Sequence, residues 1–164
     1  MSARPLPDGE PASAAADRLE PATVVVGLDG SEPSWDALAW ACGEAQRLGG
    51  RVLAVLVSPD APSAVSAAAV SGVVADATAL DQAAAERARE LDRELTRRTA
   101  GLDVEIAFVH TKGDPARELL ALAASHRADL IVVGRSRKAR HRIAGSIGRH
   151  LVCGRQAPVV VIVP

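Results

Sequence analysis

The chain alternates short apolar runs with longer amphipathic stretches. "TVVVGL", which begins at Thr23, is a continuous apolar run of the kind formed by a strand covered on both faces, and it ends in Asp29-Gly30-Ser31. Helical spacing follows. Trp35, Leu38, Ala39, Cys42, Ala45 and Leu48 fall on one face, Ser31 is placed to cap the helix, Pro33 suits its first turn, and Gly49-Gly50 ends it.

The same unit then recurs. "RVLAVLV" reads as a second strand, "LDQAAAERARELDRELTRR" as a second helix with Leu80, Ala84, Leu91 and Leu95 aligned, and "VEIAFVH" as a third strand. Asp114-Pro115 is a cap followed by a first-turn proline, and it opens the helix "PARELLALAASHR". "ADLIVVG" is a fourth strand, "SIGRHLVCGR" a fourth helix and "APVVVIV" a fifth strand. Regular alternation with fully apolar strands predicts an α/β domain: a doubly wound, five-stranded parallel sheet with helices on both faces. Two stretches stand outside this rhythm. Residues 1–22 are rich in Pro and Ala without apolar spacing and are expected to form a disordered tail, leaving 23–164 as the domain. Residues 58–78, "SPDAPSAVSAAAVSGVVADAT", are small and aperiodic and are expected to form a mobile loop or partial lid.

Composition narrows the function classes. A chain of 164 residues, 48% hydrophobic, holds one core of ordinary size, and with aromatics at 2% that core is built from Val, Leu, Ile and Ala. So few aromatics leave no platform on which bases could stack, which argues against single-strand nucleic-acid binding. No apolar run approaches the roughly 18 residues of a membrane span. The start of the chain lacks a charged segment followed by an apolar one, so the sequence predicts a cytoplasmic protein. Cys42 and Cys153 both fall in helical segments with no metal spacing and read as small buried thiols.

Charge is unevenly placed. Net charge is −1, yet residues 134–155 hold seven Arg/Lys and no acid, leaving 12 basic against 20 acidic residues elsewhere. A basic patch on an acidic body suits a small anion better than a polymer. In a doubly wound sheet, ligands bind beyond the carboxyl ends of the strands, where the strand order reverses. Asp29 ends the first strand and Gly134 ends the fourth, so both face one crevice if those strands are neighbours. Gly145-Ser146 then opens the fourth helix, whose free amides and positive dipole end favour an anion; Ser146 taken alone is more often just a helix cap, and its partnership with Gly134 and Asp29 raises the functional reading.

These segments resemble a known family. "VVVGLDGSEPSWDALAWACGEA", "GDPARELLALAASHRADLIVVG" and "GSIGRHLVCGRQAPVVVIV" are similar to universal stress proteins over nearly all of residues 23–163. The resemblance implies strand order 3-2-1-4-5, which sets strands one and four side by side. It implies an adenine nucleotide, ATP, as ligand, held through a glycine, two residues, a second glycine, nine residues, then glycine and Ser or Thr. It also implies a homodimer formed through the last strand, 158–163, an apolar edge that invites pairing with a second chain.

Carried over residue by residue, Gly134 matches the first glycine and Gly145-Ser146 the last pair. Asp29 matches the acid that contacts the nucleoside, and Val57 the residue at the end of the second strand beside the adenine. The phosphate loop departs from the pattern. Arg137 stands where the second glycine belongs, and only residues 138–144 separate it from Gly145, two fewer than the family spacing. A glycine there lets backbone amides approach phosphate, and an arginine obstructs that approach. Arginine is itself a bidentate phosphate ligand, however. Five Arg/Lys within 135–142, Arg135 and Arg137 among them, can replace amides by side chains; the other reading of the stretch is a solvated or protein-docking loop.

Other chemistry is weak. "AGSIG" carries Ala144 in place of the first glycine of a nucleophile elbow, with no Asp and His following in order, and no GxxxxGK[ST] occurs. His110 ends the third strand near the edge of the site, while His126, His141 and His150 show no i, i+4 pairing for a metal; all four read as surface or solvated residues. Three readings stay open: a nucleotide-binding stress or signalling protein; a dimeric interaction module that has lost nucleotide; and a slow ATP hydrolase, which is disfavoured because no motif places a base beside the phosphates.

Overall fold

The computed structural model describes residues 21–60, 77–135, 150–151 and 158–164. Within them lie β1 (Thr23–Gly27), α1 (Glu32–Arg47), β2 (Arg51–Ser58), α2 (Ala77–Thr99), β3 (Glu105–Lys112), α3 (Pro115–Ser125), β4 (Leu130–Gly134) and β5 (Val159–Val163). The five strands form one sheet in the order β3-β2-β1-β4-β5, and every pair is parallel.

The apolar runs of the inner strands β1, β2 and β4 are continuous because each of these strands is covered twice. Val24, Val26, Leu28, Val52, Ala54 and Leu56 pack with α1 and α2, while Val25, Leu53, Val55, Ile131 and Val133 pack with α3 and Leu151. Alternate side chains of one strand thus enter two separate cores. The buried face of α1 is broader than its spacing suggests. Ala37 and Ala41 are buried along with Trp35, Leu38, Cys42 and Ala45, whereas Ala39, expected inside, is exposed. That helix crosses β1, β2, β4 and β5, so a wide arc of it is covered.

Capping separates the two proline-led helices. At α3 the Asp114 carboxylate accepts the Arg117 amide at 2.9 Å, a cap as expected. At α1, Ser31 occupies the cap position but its side chain makes no cap bond. Its hydroxyl donates to Asp29 Oδ1 at 2.6 Å instead.

The expected boundaries shift at three places. Ala22, assigned above to the tail, is buried, and its carbonyl accepts the Arg51 amide at 2.8 Å. Ser58 closes β2, and Ala77 and Thr78 open α2, so the ends of the 58–78 stretch belong to regular structure. The rest of that stretch, residues 61–76, lies outside the described residues, as do residues 1–20. Of the fourth helix, His150 and Leu151 are described and helical. Among the described residues, no helix is long and apolar enough to cross a membrane.

Candidate functional site

The carboxyl edge of the sheet is stepped. β1 ends at Gly27 opposite Val55, whereas β2 continues for three more residues to Ser58. Leu28 still donates its amide to Val55 at 2.8 Å, after which the chain leaves the sheet at Asp29. On the other side of β1, Val26 pairs with Val132, two residues before Gly134. Asp29, Val57 and Gly134 therefore stand on the same edge of three adjacent strands, β1, β2 and β4. The order reverses here: β2 and β3 lie to one side of β1, and β4 and β5 to the other.

Local hydrogen bonds shape the turn between β1 and α1. The Asp29 carboxylate accepts both the amide (2.9 Å) and the hydroxyl of Ser31 through Oδ1, an aspartate turn that closes on its own backbone. Ser34, buried one turn into α1, donates its hydroxyl to the Ser31 carbonyl at 2.8 Å and accepts the Asp29 amide at 3.3 Å. Between them Gly30 has φ +82°, a conformation open to glycine at little cost. Burial pushes the Asp29 carboxyl upward, but the bonds from Ser31 and Ser34 outweigh it and hold the group below its ordinary value. Asp29 is thus an anion at neutral pH. Its contribution to stability is full above its unfolded value and is lost as pH falls through the folded one.

Gly134 meets α1 backbone to backbone. A Cβ there would lie 2.2 Å from the Pro33 carbonyl oxygen and 2.8 Å from the Ser34 nitrogen. This contact locks the end of β4 against the first turn of α1 and brings the two halves of the crevice together. Arg135 follows, exposed, with its amide committed to the Val163 carbonyl at 2.8 Å. Only its side chain is left to meet an anion. Val57 is half-buried and packs on the α3 side of the sheet, opposite Thr111. Arg137, Gly145 and Ser146 lie outside the described residues, together with Cys153 and His141.

Three residues near this edge make contacts that sequence reasoning does not reach. Ser34 carried a faint signal as a second serine three positions after Ser31. Arg87 carried none: it reaches from α2 and donates through Nη2 to the Asp29 carbonyl at 3.0 Å, across 58 positions of sequence. His110, expected to be solvated, is half-buried, with Nε2 2.9 Å from the hydroxyl of Ser58, itself only 8% exposed. A buried hydroxyl without that partner would carry an unmet desolvation cost of about 1–3 kcal/mol. The pair is therefore accounted for by satisfaction of Ser58. Among the described residues, no group of three His, Cys, Asp or Glu is arranged to hold a metal ion.

Comparison with known proteins yields one family and a set of shared folds. The model of the universal stress protein family matches residues 22–163. Universal stress protein UspA from Lactobacillus plantarum superposes with a TM-score of 0.71 at 22% identity, covering 90% of this chain and 100% of that one. A universal stress protein in complex with cAMP gives 0.58 at 24% identity, with coverage of 88% and 97%. The universal stress protein from Archaeoglobus fulgidus in complex with dAMP gives 0.61 at 18% identity, with coverage of 87% and 98%. No curated protein sequence matches. At these identities the likeness to the solved structures is one of fold.

Proposed function

Because the chain belongs to the universal stress protein family, we propose that it is a stress-response signalling protein that binds an adenine nucleotide, ATP, at the carboxyl ends of β1 and β4. The observation that carries this reading is the meeting of the Asp29 turn with Gly134 at the reversal of the sheet, through the backbone contact at Pro33. In this reading Asp29 accepts from the ribose hydroxyls, for which Oδ2 remains as an acceptor once Oδ1 has taken both Ser31 bonds. Val57 lies beside the base. Arg135, Arg137, Gly145 and Ser146 face the phosphates. Fold relatives solved with cAMP and dAMP support a nucleotide of the adenine class.

Nucleotide released by acid from gently purified protein and identified by mass spectrometry tests the ligand class. Asp29→Ala tests the site. Loss of a hydrogen bond to a charged group costs about 1.5–3 kcal/mol, so ATP affinity measured by calorimetry should fall roughly 10- to 100-fold. The variant should stay folded, with its thermal midpoint lower by only about 2–4 °C for the roughly 1 kcal/mol lost in the turn. Unchanged affinity in a folded variant would remove Asp29 from the site.

A second reading, a dimeric interaction module without nucleotide, draws on β5. That strand is a sheet edge on which Val159 is 64% and Ile162 43% exposed, and an open apolar edge recruits another strand. We propose a homodimer through this strand in either case. Sedimentation should give twice the chain mass at micromolar concentration; a monomer there would defeat the proposal.

A further inference from the structure

Arg87 belongs to none of the spacings that point to the crevice, yet it touches the crevice's central residue. It stands on α2 one turn before Leu91, which is buried in the core shared with α1. From that anchored helix its Nη2 donates to the main-chain carbonyl of Asp29 at 3.0 Å. Gly30 makes room for it: a Cβ at that position would lie 2.9 Å from Arg87 Nη2 and 3.3 Å from Leu91 Cδ1. The positive φ of Gly30 and its missing side chain thus serve one contact, the seating of a guanidinium on the bare backbone of the turn.

We propose that Arg87 is a positioning residue for the nucleotide, a clasp from α2 that fixes the Asp29 turn and so the direction of its carboxylate. The inference rests on the adenine-nucleotide reading of the crevice. Its physical basis is the source of each restraint on Asp29. The bonds to Ser31 lie inside the turn and move with it, and the bond to Ser34 ties it only to the adjoining first turn of α1. Arg87 alone among these partners comes from a distant element, so it converts a locally closed loop into one held from two sides. Binding at Asp29 and docking of α2 then become linked: whatever loosens α2 at Arg87 also loosens the acceptor for the nucleoside.

Amide hydrogen exchange and calorimetry on the full chain test this with three variants. In the nucleotide-free protein, Arg87→Ala should speed exchange of the Ser31 amide by about tenfold or more while Val24, Val25 and Val26 keep wild-type rates, as expected of a local rather than global opening. Arg87→Lys should retain part of the protection, since lysine keeps a cationic donor but not the planar fork. ATP affinity should fall about tenfold in Arg87→Ala and less in Arg87→Lys. Arg89→Ala, an exposed change on the same helix, should alter neither measurement. Wild-type exchange at Ser31 in Arg87→Ala overturns the clasp. Faster exchange with unchanged affinity overturns its role in positioning. If the wild-type protein binds neither ATP nor AMP, the nucleotide reading itself fails, and the exchange rates decide the clasp alone.

Discussion

Replacing Gly134 with alanine is expected to cost the protein most of its stability. The added Cβ would lie 2.2 Å from the oxygen and 2.3 Å from the carbon of the Pro33 carbonyl, and 2.8 Å from the Ser34 nitrogen. All three are backbone atoms in the first turn of a helix, so no side chain can swing aside. Relief requires α1 to lift from the sheet. Ala37 and Ala41, which have no exposed surface, would then lose their close contact with the strands beneath. A core separation of this kind falls among the severe substitutions, about 4 kcal/mol or more. For a domain of this size that corresponds to a fall in thermal midpoint of roughly 8–16 °C or to failure to fold. Gly27→Ala is the matched control. Its Cβ would meet only methyl groups of Leu119 and Val133 at 3.4 Å, an ordinary contact, and its midpoint should stay within about 4 °C of wild type. Equal midpoints for the two variants would show that α1 yields without penalty.

The second large effect is expected at the altered phosphate loop. Arg137→Gly should weaken ATP binding roughly 10- to 100-fold, the range for loss of a charge-assisted bond, and should leave adenosine binding unchanged. The Arg135 amide is already spent on Val163, so at that residue an anion can be met by the side chain and not by the backbone. Binding built on side-chain charge weakens as salt screens it, and wild-type affinity for ATP should therefore fall with ionic strength more steeply than affinity for adenosine. Calorimetry with both ligands at low and high salt measures all of this. A gain of ATP binding in Arg137→Gly would mean that the arginine obstructs the phosphates, and it would refute the side-chain cradle.

The three inner strands, β1, β2 and β4, were legible because each is buried on both faces and so reads as an unbroken apolar run, whereas the edge strands β3 and β5 keep exposed positions such as Ala107 and Val159. Their order was not in that pattern; it came from the resemblance to universal stress proteins and is the order observed. Asp114-Pro115 and Ser31-Glu32-Pro33 look alike as helix starts, yet only the first makes a side-chain cap, because Ser31 has a carboxylate two residues away that takes its hydroxyl. Asp29 and Gly134 stand on one edge of the sheet, as the strand pattern led one to expect, but the structure adds a reason for Gly134 that spacing alone does not suggest. Gly134 has a packing requirement of its own at Pro33, independent of any phosphate, and a glycine of this kind is indistinguishable in sequence from one that admits a ligand. The contacts of His110 and Arg87 were missed for one shared reason: each joins a residue more than fifty positions away, and no local periodicity reports such a pair.

The place of β1 at the centre of the sheet has a consequence for how the protein is made. Its first partner, β2, follows at once in sequence, but its second edge waits for β4. The bond from the Thr23 amide to the Asp129 carboxylate spans 106 positions. At about 5–20 residues per second on the ribosome, the central strand would stand with one side bare for roughly 5–20 s after it emerges. By the end of that interval the nascent chain holds a half-sheet of β1, β2 and β3 that ends in an apolar edge on β1. Translation speed between β3 and β4 thus sets how long newly made chains can pair wrongly with one another, and slow codons in that interval should raise aggregation even though they change no residue of the product.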